Sequence, residues 1–136
     1  MTQPQSVPAV SADGLLARFV TDAGWVRADK TIRQDAFIPP RDLNLSVTRH
    51  LNLSQQELWK LGQKVVDAIS GRRSAALHGR ADLPESQVSK LRLSTKPFPV
   101  AGNPNHAHIT GWPPDKPAQK SIAQQLAAAA KFVAKP

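Results

Sequence analysis

The amino-acid sequence predicts an α+β fold, in which two helices cover one face of a small mixed or antiparallel sheet. Apolar and polar residues alternate at the period of strands in short segments before residue 54 and again between residues 91 and 110. Two other segments, after residue 54 and after residue 116, repeat apolar residues at spacings of three and four, the period of helices. This order of strands, helix, short strands and helix indicates the α+β class.

Length and composition limit the number of domains and the compartment. A chain of 136 residues suffices for one modest core, so we predict a disordered tail at residues 1–12 and a single domain at residues 13–136. The chain contains no Cys, which excludes disulfides and thiolate catalysis and favours a reducing, cytoplasmic location. The first ten residues have neither a basic start nor an unbroken apolar run, so we expect no secretory signal and no membrane partner.

Strand signals dominate the first part of the chain. Residues 15–20 form an apolar run typical of a strand, and residues 21–24 indicate a turn. Residues 25–33 continue as a hairpin or a loop. The two prolines at 39–40 end any strand there, because proline donates no ladder hydrogen bond. Residues 43–49 alternate between apolar and polar side chains, which predicts a half-buried strand.

A capping box opens the first predicted helix. Ser54 is placed as the N-cap, and Glu57, three residues later, is placed to return a hydrogen bond. Leu53 and Leu58 have the spacing of the accompanying hydrophobic staple. A Ser-Gly pair at residues 70–71 predicts the end of this helix.

The middle of the chain is predicted as a series of short elements. A basic turn at residues 71–74 leads into a strand at residues 75–78, which ends before Gly79. Residues 83–88 indicate a short helical turn with a proline near its start. Residues 91–100 form an extended segment that two prolines interrupt.

A strand with two histidines follows. Ala107 and Ile109 point to one face of this strand, and His106 and His108 point to the other, as strand alternation requires. Asp115 is then placed to cap a final helix, which we predict over Lys116–Ala134. Imidazole, ammonium and a helix N-terminus would thereby converge on one small volume.

The charge of the chain is the strongest compositional signal. The sequence has 18 Lys and Arg against 10 Asp and Glu, a net charge of +8. Seven cations and one acid follow residue 85, so six of the eight net charges lie in the last 51 residues. Such asymmetry favours an anionic partner, although net charge also keeps a domain soluble whether or not it binds anything.

Four basic residues form the candidate anion-binding site. Arg49, Arg80, His106 and Lys116 each lie at an end of a predicted extended segment or beside one. Guanidinium groups bind phosphate through two parallel hydrogen bonds, so convergence of these side chains would create a phosphate pocket.

Two alternatives involve the histidines. His106 and His108, at i and i+2 on one strand face, have a spacing that ligates a metal when a third ligand converges. Only His50 or His78 could supply it through the fold, and no acid or Cys lies nearby in sequence, so we expect no metal and no cofactor. The segment His108-Ile109-Thr110 also fits the His-apolar-Thr pattern of two-histidine phosphoesterases, but a second copy is absent from the sequence.

Three segments carry a resemblance. Residues 45–49, 79–82 and 105–113 resemble a group of small uncharacterised bacterial proteins, over roughly residues 37–133. The resemblance implies a bacterial cytosolic setting and transfers no catalytic residues.

The sequence leaves three functional classes open. We favour a non-enzymatic module that binds an anionic partner, most simply nucleic acid backbone. Base stacking has less support, because Phe98, Trp112 and Phe132 are the only aromatic residues in the basic part of the chain apart from histidines. The alternatives are a small phosphodiesterase-type enzyme that pairs His106 or His108 with Arg49 or Arg80, and an accessory subunit that docks on a partner protein.

Overall fold

A computed structural model describes residues 14–70 and 75–136. Its strands are β1 (Leu15–Val20), β2 (Leu45–Arg49), β3 (Gly79–Pro84), β4 (Ser94–Pro97), β5 (His106–Thr110) and β6 (Lys131–Ala134). Its helices are α1 (Gln55–Ser70), α2 (Glu85–Lys90) and α3 (Lys116–Ala129), with short 3-10 turns at Ala23–Trp25 and Gln34–Phe37. The predicted tail at residues 1–12 and the predicted turn at residues 71–74 lie outside the described residues.

The described strands form one antiparallel sheet. Their order is β4-β5-β2-β1-β3-β6, so the first strand of the chain lies inside the sheet and β4 and β6 lie at its edges. The α+β class and the antiparallel sheet are confirmed.

Helices pack on both faces of this sheet. Leu16 and Val20 of β1 belong to one hydrophobic cluster, which also contains Val88 of α2 and Leu126 of α3. Ala17 and Phe19, which point the other way, join a second cluster with Leu58 and Leu61 of α1. We call the two sides the α3 face and the α1 face. The helices α2 and α3 therefore cover the α3 face. The capping-box helix α1, predicted to share a face with the last helix, packs on the opposite face, because its apolar side chains contact Ala17 and Phe19.

Both predicted helix starts are confirmed. The backbone N–H of Glu57 donates to Ser54 Oγ, and the backbone N–H of Ser54 donates to Glu57 Oε1, at 3.1 Å each. Asp115 Oδ2 accepts from the backbone N–H of Ala118 at 3.0 Å. These side chains satisfy N–H groups that lack a partner inside a helix.

Two predicted element boundaries are wrong, and both errors concern strands. The strand predicted at residues 75–78 begins instead at Gly79 and extends to Pro84, where all six residues pair with β1. The last helix ends at Ala129 rather than at Ala134, because Lys131–Ala134 pairs with β3 as strand β6. In each case the pairing partner, distant in sequence, determines the structure.

The pairing between β1 and β2 is short. It covers two residue pairs, Leu16 with Arg49 and Ala17 with Thr48, whereas β1 and β3 share six. Beyond Ala17 the side chain of Arg18 reaches across instead: its Nη1 donates to the carbonyl of Ser46 at 3.0 Å and its Nε donates to the carbonyl of Ala36 at 2.7 Å. The two strands therefore separate at this end.

Within residues 14–70 and 75–136, no helix combines the length and the apolar character needed to cross a membrane.

Candidate functional site

The hairpin of β4 and β5 places the two histidines beside an aromatic residue and a cation. Lys96 pairs with His108 in the antiparallel register, and the backbone N–H of Phe98 donates to the carbonyl of His106 at 2.8 Å. Directly paired residues point to the same face of a sheet. Lys96, Phe98, His106 and His108 therefore lie together on the α1 face.

This part of the α1 face is accessible to solvent. Phe98 is 53% exposed, Lys96 is exposed, and both histidines are half-buried. Ser46 of β2, which pairs with His108, and Ser94 of β4, which pairs with Thr110, are exposed beside them. We call the surface formed by Ser46, Ser94, Lys96, Phe98, His106 and His108 the open face.

Three rings contact one another on the open face. Phe98 stacks on His108 with ring centroids 4.4 Å apart and planes inclined by 29°. His106 meets His108 edge-on, with centroids 4.9 Å apart and planes at 86°. The Phe98 ring thus stacks on His108 and is also exposed to solvent, and an exposed aromatic ring is a surface on which a planar ligand can stack.

A hydrogen bond orients the ring of His106, and burial affects the pKa of His108. Nδ1 of His106 lies 2.8 Å from the carbonyl oxygen of Phe98. Since a carbonyl oxygen only accepts hydrogen bonds, Nδ1 of His106 is the donor. The other ring nitrogen, Nε2, takes no part in this hydrogen bond. Burial, followed by the neighbouring His106, lowers the pKa of His108, against the opposing effect of Asp42. His108 is therefore uncharged at neutral pH.

A separate network of polar side chains surrounds Arg80 under α1. Arg80 is 3% exposed. Its Nε donates to Asp82 Oδ1 at 2.9 Å, its Nη2 donates to Gln55 Oε1 at 2.6 Å, and its guanidinium carbon lies 4.7 Å from the centre of the Trp59 ring. His50 Nε2 lies 2.9 Å from the same oxygen of Asp82.

This network compensates buried charge. Burial disfavours the ionised Asp82, but hydrogen bonds and charge from His50 and Arg80 outweigh it and lower the pKa of the carboxyl. A buried guanidinium is tolerated when it is paired in this way. The arrangement holds the Arg80 side chain in contact with Asp82, Gln55 and Trp59.

The structure does not bring the four predicted anion-binding residues into one pocket. Arg49 pairs with Leu16 and lies on the α3 face, whereas Arg80 pairs with Phe19 and lies on the α1 face. Lys116 is the first residue of α3 and is exposed. His106 shares the α1 face with Arg80, but β2 and β1 lie between their strands, a separation of about 14 Å at ordinary strand spacing. Of the four residues, His106 alone belongs to the open face.

Lys96 and Phe98 are the residues that the sequence prediction missed. Their spacing of two matches that of His106 and His108, and a loop with a Gly-Asn-Pro sequence joins the two segments. Two runs with the same alternation on either side of a turn signal are typical of a hairpin, which would have placed all four on one face.

The chemistry available at the open face is stacking, hydrogen bonding and a positive charge. Among the described residues, no group of three His, Asp or Glu side chains is arranged to hold a metal ion. Trp112, part of the same predicted segment, is buried and donates to the carbonyl of Ile109 at 3.0 Å, so it belongs to the core.

Comparison of the chain with protein-family models, with curated proteins and with solved structures finds no match. The resemblance to small bacterial proteins therefore stays a prediction.

Proposed function

We propose that this protein is a non-enzymatic module that binds single-stranded nucleic acid across the open face. The observation that carries the proposal is the exposed ring of Phe98, stacked on His108 beside Lys96. Single-stranded nucleic acids are held mainly by bases stacking on aromatic side chains and by cations along the backbone. The open face has both, and the chain carries a net charge of +8.

The roles of the residues follow from their chemistry. The Phe98 ring offers a face to one base, and His108, uncharged at neutral pH, extends the apolar surface. Lys96 is placed to contact a phosphate, and the exposed Arg92, two residues before β4, adds charge at the end of that strand. Serine hydroxyls at positions 46 and 94 provide hydrogen bonds to base edges or sugars.

The test is fluorescence anisotropy of labelled oligo-uridine and oligo-thymidine titrated with the full chain at about 50 mM salt. We expect Phe98→Ala to weaken binding about tenfold, because stacking of one base contributes about 1–3 kcal/mol. Absence of binding at this salt concentration, or wild-type affinity in Phe98→Ala, would overturn the proposal.

A matched pair of lysine variants tests the electrostatic part. Lys96→Gln on one edge strand and Lys131→Gln on the other change the net charge equally. We expect Lys96→Gln alone to weaken binding several-fold and to reduce the slope of log affinity against log salt by about 0.7. Equal effects of the two substitutions would indicate attraction by net charge without a defined site.

One observation favours a second candidate, a phosphodiesterase-type enzyme. The rings of His106 and His108 are close enough to act on one substrate as base and acid. Arg80 is paired with Asp82 elsewhere, so catalysis would depend on the imidazoles with Lys96. Hydrolysis of bis-p-nitrophenyl phosphate that disappears in a His106→Ala, His108→Ala double variant would support this candidate. Activity retained in the double variant would remove both histidines from the mechanism.

A further inference from the structure

A cleft of about 400 Å³ opens on the α1 face beside the open face. It lies where β1 and β2 separate, and α1 and the loop at residues 100–103 form its sides. Lys64 of α1 spans its rim, since its Nζ donates to the carbonyl of Gly102 at 3.2 Å. The cleft therefore results from the short pairing of β1 with β2 described above.

The walls of the cleft are largely apolar. Phe19 of β1 lies on the strand side, Val65 and Ile69 lie on the α1 side, and Val100 lies on the loop side. Val100 is 41% exposed although it is apolar. A volume of this size is in the range of small-molecule sites, and apolar walls favour a hydrocarbon or aromatic body.

The charged residues that line the cleft are all basic. Arg18 and Lys64 contribute full charges, His106 contributes an imidazole, and no Asp or Glu is present among the described lining residues. Arg18 already donates to two carbonyl groups and its guanidinium carbon lies 5.2 Å from the centre of the Trp25 ring, so it supplies a fixed positive field. Lys64 is exposed and bonded to one carbonyl, so its ammonium has donors to spare for a ligand.

We propose that the cleft binds a small amphiphile that has a hydrocarbon body and one carboxylate. The body fills the apolar space between Phe19 and α1, and the carboxylate lies at the rim near Lys64. Charge complementarity selects the anion, and the apolar walls select a chain longer than a few carbons. The cleft shares Ser46 and His106 with the open face but does not include the rings of Phe98 and His108. This inference therefore does not depend on the proposed stacking of a nucleic-acid base on Phe98.

The experiment is an NMR titration of the ¹⁵N-labelled full chain with decanoate. We expect saturable shifts for the backbone amides of Phe19, Val65, Ile69 and Val100, weaker binding of decanol, and no binding of butyrate at the same concentration. Decanoate that leaves these amides unmoved, or decanol that binds as tightly as decanoate, would overturn the proposal.

Variants of α1 assign the contacts. Ala68 is exposed and lines the cleft, so Ala68→Phe fills the space without changing the core and should abolish decanoate binding. Lys64→Gln should weaken decanoate about threefold and leave decanol unchanged, as expected for an exposed ion pair. Lys60→Gln, one turn earlier and outside the cleft, is the control for net charge and should bind as wild type.

A further variant separates the two proposals. Phe98→Ala removes the ring proposed to stack on a base but does not line the cleft, so decanoate binding should be unchanged in it. Loss of decanoate binding in Phe98→Ala, or equal weakening by Lys64→Gln and Lys60→Gln, would contradict the assignment to the cleft.

Discussion

At the scale of single residues, Arg80 is a buried cation that contacts three other side chains. A guanidinium that is 3% exposed is stable there because a carboxylate, an amide oxygen and an indole ring surround it. Asp82 is the central partner, since one of its oxygens accepts from both Arg80 and His50. Removing Asp82 would leave a buried positive charge without a counterion.

We therefore expect Asp82→Asn to lower the free energy of unfolding by about 3 kcal/mol at neutral pH, the usual cost of breaking a buried ion pair from one side. Urea unfolding followed by circular dichroism measures this loss. Asp67→Asn, an exposed position on α1, is the matched control and should change stability by less than about 0.5 kcal/mol. A loss of the same size in both variants would show that the contacts of Asp82 with Arg80 and His50 add nothing to the stability of the protein.

The Asp82 carboxyl also makes the unfolding free energy depend on pH. Its folded-state pKa lies below the ordinary value of 3.8, so the unfolded chain binds the proton more readily. The stabilisation is therefore complete above about pH 4 and is lost as the pH falls through the folded-state pKa. The difference in unfolding free energy between wild type and Asp82→Asn should shrink at acid pH, and a difference that is constant with pH would contradict this assignment.

At the scale of elements, the contact between α1 and β1 depends on a missing side chain. Gly62 lies in the middle of α1, and a Cβ at that position would be 2.7 Å from the ring of Phe19. Phe19 is buried, so its ring has little room to move. Glycine lets the helix approach the sheet closely, although glycine disfavours a helix interior.

Gly62→Ala should for this reason destabilise the protein by about 1–3 kcal/mol, as overpacking of a core does. Helix propensity alone predicts a change of the opposite sign, of about 1 kcal/mol. Thermal and urea unfolding of Gly62→Ala distinguish the loss of stability expected from overpacking from the gain expected from helix propensity. Ala68→Gly, the reverse change at an exposed position of α1, reports helix propensity without the clash. A stabilised Gly62→Ala would disprove the close contact.

The elements also show which parts of the fold were predictable. The capping box at Ser54, the cap at Asp115 and the alternation in β5 were correctly predicted, because each is a signal local to a few residues. The strands β3 and β6 were missed. Gly79 and Asp82 are typical of turns, and the Ala-rich end of α3 favours a longer helix; only pairing with distant strands overrides these preferences.

The candidate site was predicted only in part, for the same reason. His106 and His108 were identified as residues on one strand face, and the structure places them so. Phe98 joins them through the β4–β5 hairpin. The alternation of the two segments indicates a hairpin, but the register of its strands is known only from the structure. The sequence prediction groups Arg49 with Arg80 because both are basic. Their side chains lie on opposite faces of the sheet, because Arg49 pairs with Leu16 and Arg80 pairs with Phe19.

At the scale of the whole molecule, the sheet joins the two ends of the described chain. Strand β1 lies next to β3, and β3 in turn pairs with β6 near the C-terminus. Strand β6 covers Gly79, whose missing side chain leaves space for the carbonyl of Val133 and the ring of Phe132. Residues Lys131–Ala134 are thus an integral strand of the sheet.

A chain that ends at Ala130 should accordingly lose about 1–2 kcal/mol of stability, because the partly buried Phe132 contributes part of the value of a fully buried apolar side chain. Hydrogen exchange should show faster exchange of the β3 amides that face β6. A chain shortened only by Pro136 serves as the control and should keep wild-type exchange. Unchanged protection of β3 in the shorter chain would show that β6 adds no stability.

The two outer strands also determine how the sheet meets other polypeptides. Strand β4 ends at Pro97, which has no backbone N–H to donate to an added strand. Strand β6 begins at Lys131, and Lys135 follows its last residue. Imino acids and ammonium groups at such borders discourage extension of a sheet by further strands. Fibril-like growth from this protein is therefore opposed at both ends of the sheet, and a concentrated solution should stay free of cross-β aggregates while the native state persists.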